Sequence, residues 1–243
     1  MKDKKILVLG HRGMLGHMVK NYFEYKKQKI EVCNHRWPSE EMKNYIIEIK
    51  PDFIINCIGA IPQRKTIFEI NYELPIWLDK HSSSKIIHPG TDCNDDDDYG
   101  NSKKRATNYI VKEGIQTKII KTSILGTELK GNASLLEWFL SQEGEVDGYS
   151  KAIWSGNTTL EWAKHGYDLT QNWDRYKTKT ILQGETVSKY ELLKIISQVW
   201  GKKIKINNIP KGIDRSLEGD IKTENIKSQL IELKNFHEKI INK

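Results

Sequence analysis

The constraint that acts first on this chain is a seven-residue turn. Ile6-Leu7-Val8-Leu9 is an apolar run of one strand's length, and Gly10-His11-Arg12-Gly13-Met14-Leu15-Gly16 follows it at once. Beyond the turn, Met14, Leu15, Met18, Val19, Tyr22 and Phe23 recur at the spacing that places all six on one helix face. A strand, a glycine-rich turn and a helix in that order are the opening of a dinucleotide-binding unit. Gly10 permits the tight turn, Gly13 lets the backbone approach a pyrophosphate, and Gly16 allows the helix to pack closely. The unpaired N–H groups where the helix starts, around Met14 and Leu15, offer donors and a positive dipole end to phosphates.

The alternation continues through the first half. Strands are expected at Lys29 to Asn34, Phe53 to Ile55, Lys85 to Ile87 and Lys118 to Ile120, with helical segments between them. Pro51 ends the helix that begins after Pro38-Ser39. Later helices are expected near Ser134 to Leu140, from Thr158 to about Asp168, after the capping box Ser188-Lys-Tyr-Glu191, and from Thr223 to Ile241; Ile181-Leu182 returns to the sheet. The pattern predicts an α/β fold: a Rossmann-type doubly wound parallel sheet with a smaller, mainly C-terminal substrate-binding region. Residues 1–128, with a return segment at about 155–184, form the first part; 129–154 and 185–243 form the second.

Cofactor choice is read at the end of the second strand. An acidic residue there binds the ribose 2'-hydroxyl of NAD; this chain has Asn34-His35-Arg36. Arg36 and Arg12 together suit a 2'-phosphate, which points to NADP(H). Tyr99-Gly-Asn-Ser-Lys103 sets a phenol and an ammonium four residues apart on one helix face. There the ammonium can lower the phenol pKa and the phenol can protonate a ketone oxygen. Thr91, in the turn after the fourth strand, supplies a hydroxyl to the same oxygen.

Several classes are disfavoured. The 243 residues carry 39 basic and 32 acidic side chains, a formal charge of +7, but the excess is diffuse and no basic run is interleaved with aromatics, so a nucleic-acid groove is not expected. No apolar stretch approaches a membrane span, and no secretory h-region follows Met1. Cys33, Cys57 and Cys93 are odd in number and scattered, as reduced thiols of a cytoplasmic protein are. The histidines show no metal spacing, and the aspartates Asp95 to Asp98 are expected in a solvated loop, so no metal is expected.

With these residues in view, the chain resembles the extended short-chain dehydrogenases, and among them the dTDP-4-dehydrorhamnose reductases and related sugar-nucleotide reductases. The opening Gly-His-Arg-Gly-Met-Leu-Gly is also similar to the loop of GDP-fucose synthases. Pro51-Asp-Phe-Ile-Ile-Asn-Cys57 resembles the family strand whose following turn, Ile58-Gly59-Ala60, lies along the cofactor; Asn71 matches an asparagine that holds the next helix. His88-Pro-Gly-Thr-Asp92 resembles the turn that carries the assisting threonine, and Lys121-Thr-Ser-Ile-Leu-Gly126 a segment at the bottom of the substrate cleft.

The resemblance implies NADPH-dependent reduction of a keto group, C4, of a nucleoside-diphosphate 6-deoxy-keto-sugar on the way to a cell-surface polysaccharide. Thr91, Tyr99 and Lys103 would be catalytic. Cys57, Ile58 and Gly59 would line the cofactor, while Thr122, Asn132, Trp154 and Arg215 would meet the nucleotide-sugar, with Trp138 and residues 157–159 in the same region. Ordinary core packing is an equal reading for the tryptophans. Two departures stand out: Gly90 replaces the usual serine, and the loop from Thr91 to Tyr99 is short. They keep open an NADP-binding regulatory subunit without catalysis, beside an epimerase or dehydratase. Oligomeric state is left open, a homodimer included.

Overall fold

The computed structural model describes residues 4–64, 67–93 and 97–241. In chain order its elements are β1 (Ile6–Leu9), α1 (Met14–Tyr25), β2 (Ile30–Val32), α2 (Glu40–Ile49), β3 (Phe53–Asn56), α3 (Ile70–His81), β4 (Lys85–Gly90), α4 (Asp98–Glu113) and β5 (Thr117–Lys121). There follow β6 (Ile124–Leu125), α5 (Leu135–Ser141), β7 (Glu145–Tyr149), β8 (Ile153–Trp154), β9 (Asn157–Thr158), α6 (Thr159–Gln171) and β10 (Lys179–Gln183). The chain ends through β11 (Val187–Ser188), α7 (Lys189–Trp200), β12 (Lys205–Ile209), β13 (Ile221–Lys222) and α8 (Ile226–Phe236). The central sheet has the order β13-β10-β5-β4-β3-β1-β2. It is parallel at each pairing from β2 to β5 and again between β10 and β13. Order reverses at β1, as it must in a doubly wound sheet.

Two compact units divide the chain, the first Met1–Lys121 with Ala163–Thr180, the second Thr122–Trp162 with Ile181–Lys243. In the first, all four residues of β1 are fully buried. Leu7 and Leu9 join Ile54 and Ile86 in a cluster with Met42 and Ile46 of α2 and Leu74 and Leu78 of α3. Ile6, Val8, Ile55 and Ile87 alternate with them, face the other side of the pleat, and are equally buried. Both faces are therefore covered, and each such side chain contributes about 1.5–3 kcal/mol.

Local signals place the helices. Ser39 caps α2 by accepting from the Met42 N–H, with Glu40 and Glu41 in the first turn, and Lys50 ends it in a left-handed conformation at φ 42° before Pro51. Ser188 and Glu191 form the reciprocal capping box of α7, which Gly201 ends at φ 67°. Of the boundaries that differ from expectation, two are explained by contacts. The second strand is shorter, because β2 is an edge strand that pairs only with Ile6 to Val8 of β1. The last helix begins at Ile226: Thr223 is engaged by Asn157 and Gln183, and Asn225 supplies the cap.

The second unit also contains strand pairs that no periodicity marks: β6 with β9, β8 with β11 antiparallel, and β7 parallel to β12 from Glu145↔Lys205 to Tyr149↔Ile209.

Candidate active site

The turn between β1 and α1 is built as its glycines demand. Gly10 stands at φ 73°, and a Cβ there would lie 2.9 Å from the Ile58 side chain and 3.0 Å from the Cys57 backbone. A Cβ on Gly16 would lie 2.1 Å from the Gly10 carbonyl oxygen, so the close approach that this glycine permits is between the helix and its own loop. Gly13 is the N-cap residue; no side chain caps α1, and no acid lies in its first turn. Its N–H groups thus remain available to an anion. His11 adds a buried Nδ1 with no hydrogen-bond partner among the described residues, and burial, then Arg12 and Lys20, lower its pKa. An unassigned buried polar atom beside uncapped N–H groups fits the pyrophosphate of a dinucleotide.

Arg12 is exposed and reaches the end of β2, where its Nη2 donates to Asn34 Oδ1 at 3.2 Å. Arg36 is exposed two residues further on, its carbonyl accepting from Ser39 N–H at 2.9 Å. Arg12 thus reaches the segment that follows β2, the segment that also carries Arg36.

The strip after β3 is tied to the helix that carries Tyr99 and Lys103. Cys57 N–H donates to the Leu9 carbonyl at 3.0 Å, and Ile58 N–H to Asn56 Oδ1 at 3.2 Å. Asn71, on α3 and 1% exposed, accepts from Ala60 N–H at 2.8 Å and donates both to the Ala60 carbonyl and to Ser102 Oγ at 3.0 Å. Ser102 in turn donates to the Tyr99 carbonyl at 2.7 Å. Gly59 leaves room beside this network: a Cβ there would be 3.3 Å from Asn71 Oδ1 and 3.9 Å from Lys103 Nζ. Neither Ser102, a small polar residue next to Lys103, nor Asn56, at the end of β3, carries a sequence signal of its partner.

Tyr99 and Lys103 lie in the first turns of α4, whose N-cap Asp97 accepts from Gly100 N–H at 2.6 Å. The Thr91 hydroxyl acts on the Tyr99 phenol and favours its ionised form. Lys103 is 7% exposed and its ammonium donates to the Pro89 carbonyl at 3.2 Å. Burial lowers its pKa to about 8, opposed by Cys93 and Cys57. The phenol is where expectation fails. Tyr99 is pushed up to about 12, first by burial and also by Cys93, Asp92 and Asp97, with the Thr91 hydroxyl acting the other way. Lys103 is not among the causes, so the acidic loop and desolvation outweigh the anticipated depression. Asp97 is a helix cap as well as part of that loop; Asn94, Asp95 and Asp96 lie outside the described residues.

Gly90 has a packing reason. A Cβ there would lie 3.0 Å from Lys121 Cα and Cβ and 3.1 Å from Ile119 Cγ2, so β5 crowds the position where a serine was anticipated. Cys33, Cys57 and Cys93 form no disulfide with one another.

The residues expected at the nucleotide-sugar all fall in the second unit. Thr122 is 2% exposed; its hydroxyl donates to the Ser123 carbonyl at 3.2 Å and accepts from Asn157 Nδ2 at 2.8 Å. Asn157 is a hub, since its Oδ1 also accepts from Thr223 Oγ1 and from Gln229 Nε2. Trp154 is 2% exposed, with Lys189 Nζ 5.1 Å from its ring centroid. Asn132 is exposed and donates to Ser141 Oγ at 3.2 Å. Arg215 is half-buried in an irregular segment anchored by its own N–H to the Ile153 carbonyl at 3.0 Å. The same unit has a groove of about 390 Å³ lined by Trp138, Gln142, Asp147, Tyr149 and Asn207 among others. Of these only Trp138 was anticipated.

Fold and turn together define a Rossmann-type α/β protein, with a threonine, a tyrosine and a lysine gathered beside the strip after β3. No family model and no curated protein matches the sequence. Solved structures do resemble it. A dTDP-4-dehydrorhamnose reductase from Clostridium acetobutylicum superposes with a TM-score of 0.78 at 18% identity, covering 96% of this chain and 99% of that one. The Bacillus anthracis dTDP-4-dehydrorhamnose reductase in complex with NADP gives 0.78 at 13%, with 96% and 99% covered. A GDP-6-OMe-4-keto-L-xylo-heptose reductase from Campylobacter jejuni gives 0.75 at 11%, with 98% of each chain covered. At these identities the likeness is one of fold.

Proposed function

We propose that the protein is an NADPH-dependent reductase of a keto group, C4, in a nucleoside-diphosphate 6-deoxy-keto-sugar. The observation that carries this reading is the buried Lys103 on the same helix as Tyr99, beside the strip of Cys57, Ile58 and Gly59, with the Thr91 hydroxyl acting on the Tyr99 phenol. The similarity in fold to sugar-nucleotide keto-reductases, one of them in complex with NADP, supports it.

Gly10, Gly13, Gly16 and the N–H groups at Met14 and Leu15 receive the pyrophosphate, and Arg12 and Arg36 the 2'-phosphate. NADPH, when bound, supplies the hydride. Tyr99 is the acid: with its pKa pushed up, the phenol is fully protonated near neutral pH and donates at the ketone oxygen. Thr91 orients that oxygen. Lys103, still mostly charged at neutral pH, holds the nicotinamide ribose. We assign Arg215 to the substrate diphosphate, Asn132 to the nucleotide-sugar region, Thr122 to positioning through Asn157, and Trp154, buried in the core, to packing beneath that region. The product belongs to a cell-surface polysaccharide sugar, and the enzyme works in the cytoplasm.

The experiment is to follow NADPH oxidation against keto-sugars linked to dTDP, UDP, GDP and CDP. Turnover with one nucleotide class supports the reading. NADPH binding without turnover on all four favours instead a regulatory subunit that keeps the fold, a reading to which the short Thr91–Tyr99 loop lends weight.

A further inference from the structure

Two buried polar side chains stand side by side on β3 and β4. Asn56 is 0% and His88 2% exposed. The β3–β4 register, Ile55↔Ile87, brings them next to one another, and Asn56 Nδ2 lies 3.2 Å from His88 Nδ1. Amide orientation normally has to be chosen from the surrounding hydrogen bonds. Here the choice is forced, because Asn56 Oδ1 accepts the backbone N–H of Ile58 at 3.2 Å. The amide nitrogen must therefore face the imidazole. An amide nitrogen can only donate, so Nδ1 must present its lone pair and the ring proton must sit on Nε2.

Lys103 is the charge that this arrangement concerns. Its ammonium donates to the carbonyl of Pro89, the residue that follows His88, and its charge, after burial, is a further cause that lowers the His88 pKa well below the ordinary value. Cys57, beyond Asn56, has its thiol pushed up by burial; Tyr99, on the helix with Lys103, is pushed up too; and the partner from β5 is Ile119. Cys93 acts on Lys103 from the loop after β4. No carboxylate is among the causes acting on His88.

We propose that Asn56 is a positioning residue: its amide, oriented by Ile58, holds His88 in the neutral Nε2–H tautomer and so keeps a second positive charge away from the Lys103 ammonium. The part that concerns activity rests on the reading of Lys103 given above; the tautomer does not. Exchange of the amide for a carboxylate inverts the instruction. In Asn56→Asp one oxygen still accepts the Ile58 N–H, while the other faces Nδ1 as an acceptor and calls for a proton there. The imidazole then takes up a proton at higher pH, and a cation appears beside Lys103.

The first measurement uses the unaltered full chain. Imidazole nitrogen NMR, with the His88 signals identified by their loss in His88→Gln, is expected to show Nδ1 bare and Nε2 protonated, unchanged on acidification through the ordinary histidine value of about 6.5. A protonated Nδ1 near neutral pH, or titration at the ordinary value, overturns the proposal. The second compares pH profiles of turnover. The acidic limb should move up by about one pH unit or more, tenfold in proton concentration, in Asn56→Asp. It should return when His88→Gln is added to Asn56→Asp. An equal loss at every pH, or no return in the double variant, overturns the positioning role. Should the chain prove to have no keto-sugar turnover, the proposed function fails while the NMR result still decides the tautomer; it also decides if Asn56→Asp does not fold.

Discussion

Replacing Lys103 with methionine should remove activity and yet stabilise the protein at neutral pH. The lysine is 7% exposed, and burial brings its pKa from 10.5 to about 8. A folded-state pKa below the unfolded one means that between pH 8 and 10.5 the unfolded chain binds more protons, so stability rises with pH across that window. Below about pH 8 both states are charged and the full cost of the buried ammonium is present. At about 1.4 kcal/mol per unit, a shift of this size corresponds to about 3 kcal/mol. Methionine avoids that cost and fills a similar volume, but the Pro89 carbonyl loses its donor, at about 1–2 kcal/mol. The net gain is about 1–2 kcal/mol, or a Tm higher by roughly 2–8 °C for a chain of this size. Thermal unfolding at several pH values is the assay. The advantage of Lys103→Met should be largest near pH 7 and should shrink steadily towards pH 10. A variant less stable than the parent at pH 7, or a difference independent of pH, would refute the reasoning, since it would mean that the ammonium is not desolvated as the burial implies.

Other expectations bear on single parts of the site. The protein should bind NADPH more tightly than NADH, and Arg12→Ala with Arg36→Ala should erase at least a tenfold preference, since each charge-assisted contact is worth about 1.5–3 kcal/mol; equal titration curves for both cofactors in the parent would sink the assignment. Gly16→Ala sets a Cβ 2.1 Å from the Gly10 carbonyl oxygen, so it should lower Tm by overpacking worth about 1–3 kcal/mol and weaken NADPH binding; an unchanged affinity would show that the loop geometry is not needed. Tyr99→Phe should fold and bind NADPH but lose on the order of a hundredfold or more in turnover. Survival of turnover in that variant would leave an enzyme whose acid lies elsewhere.

What the sequence by itself determined is local. Four apolar residues followed by a turn with glycines at positions 10, 13 and 16 allow little besides a parallel strand, a tight loop and a helix. The helices at Glu40 and Lys189 announce themselves through Ser39 and through the Ser188–Glu191 box. The Tyr99–Lys103 spacing likewise survives because residues four apart share a helix face wherever that helix packs. Tertiary structure decided whatever depends on segments distant in the chain. The β7–β12 ladder pairs Glu145 with Lys205, and strands this short carry too few alternations to mark themselves. It also decided that Asn56 meets His88, that Asn71 reaches Ser102, and that β5 crowds position 90. The clearest case is the Tyr99 phenol. Spacing alone promised an ammonium that would lower its pKa, but a pKa is set by desolvation and by every nearby charge together. Burial and the acids at 92 and 97 push it up, because those groups are gathered by the packing of α4 and the loop before it, which no local pattern records.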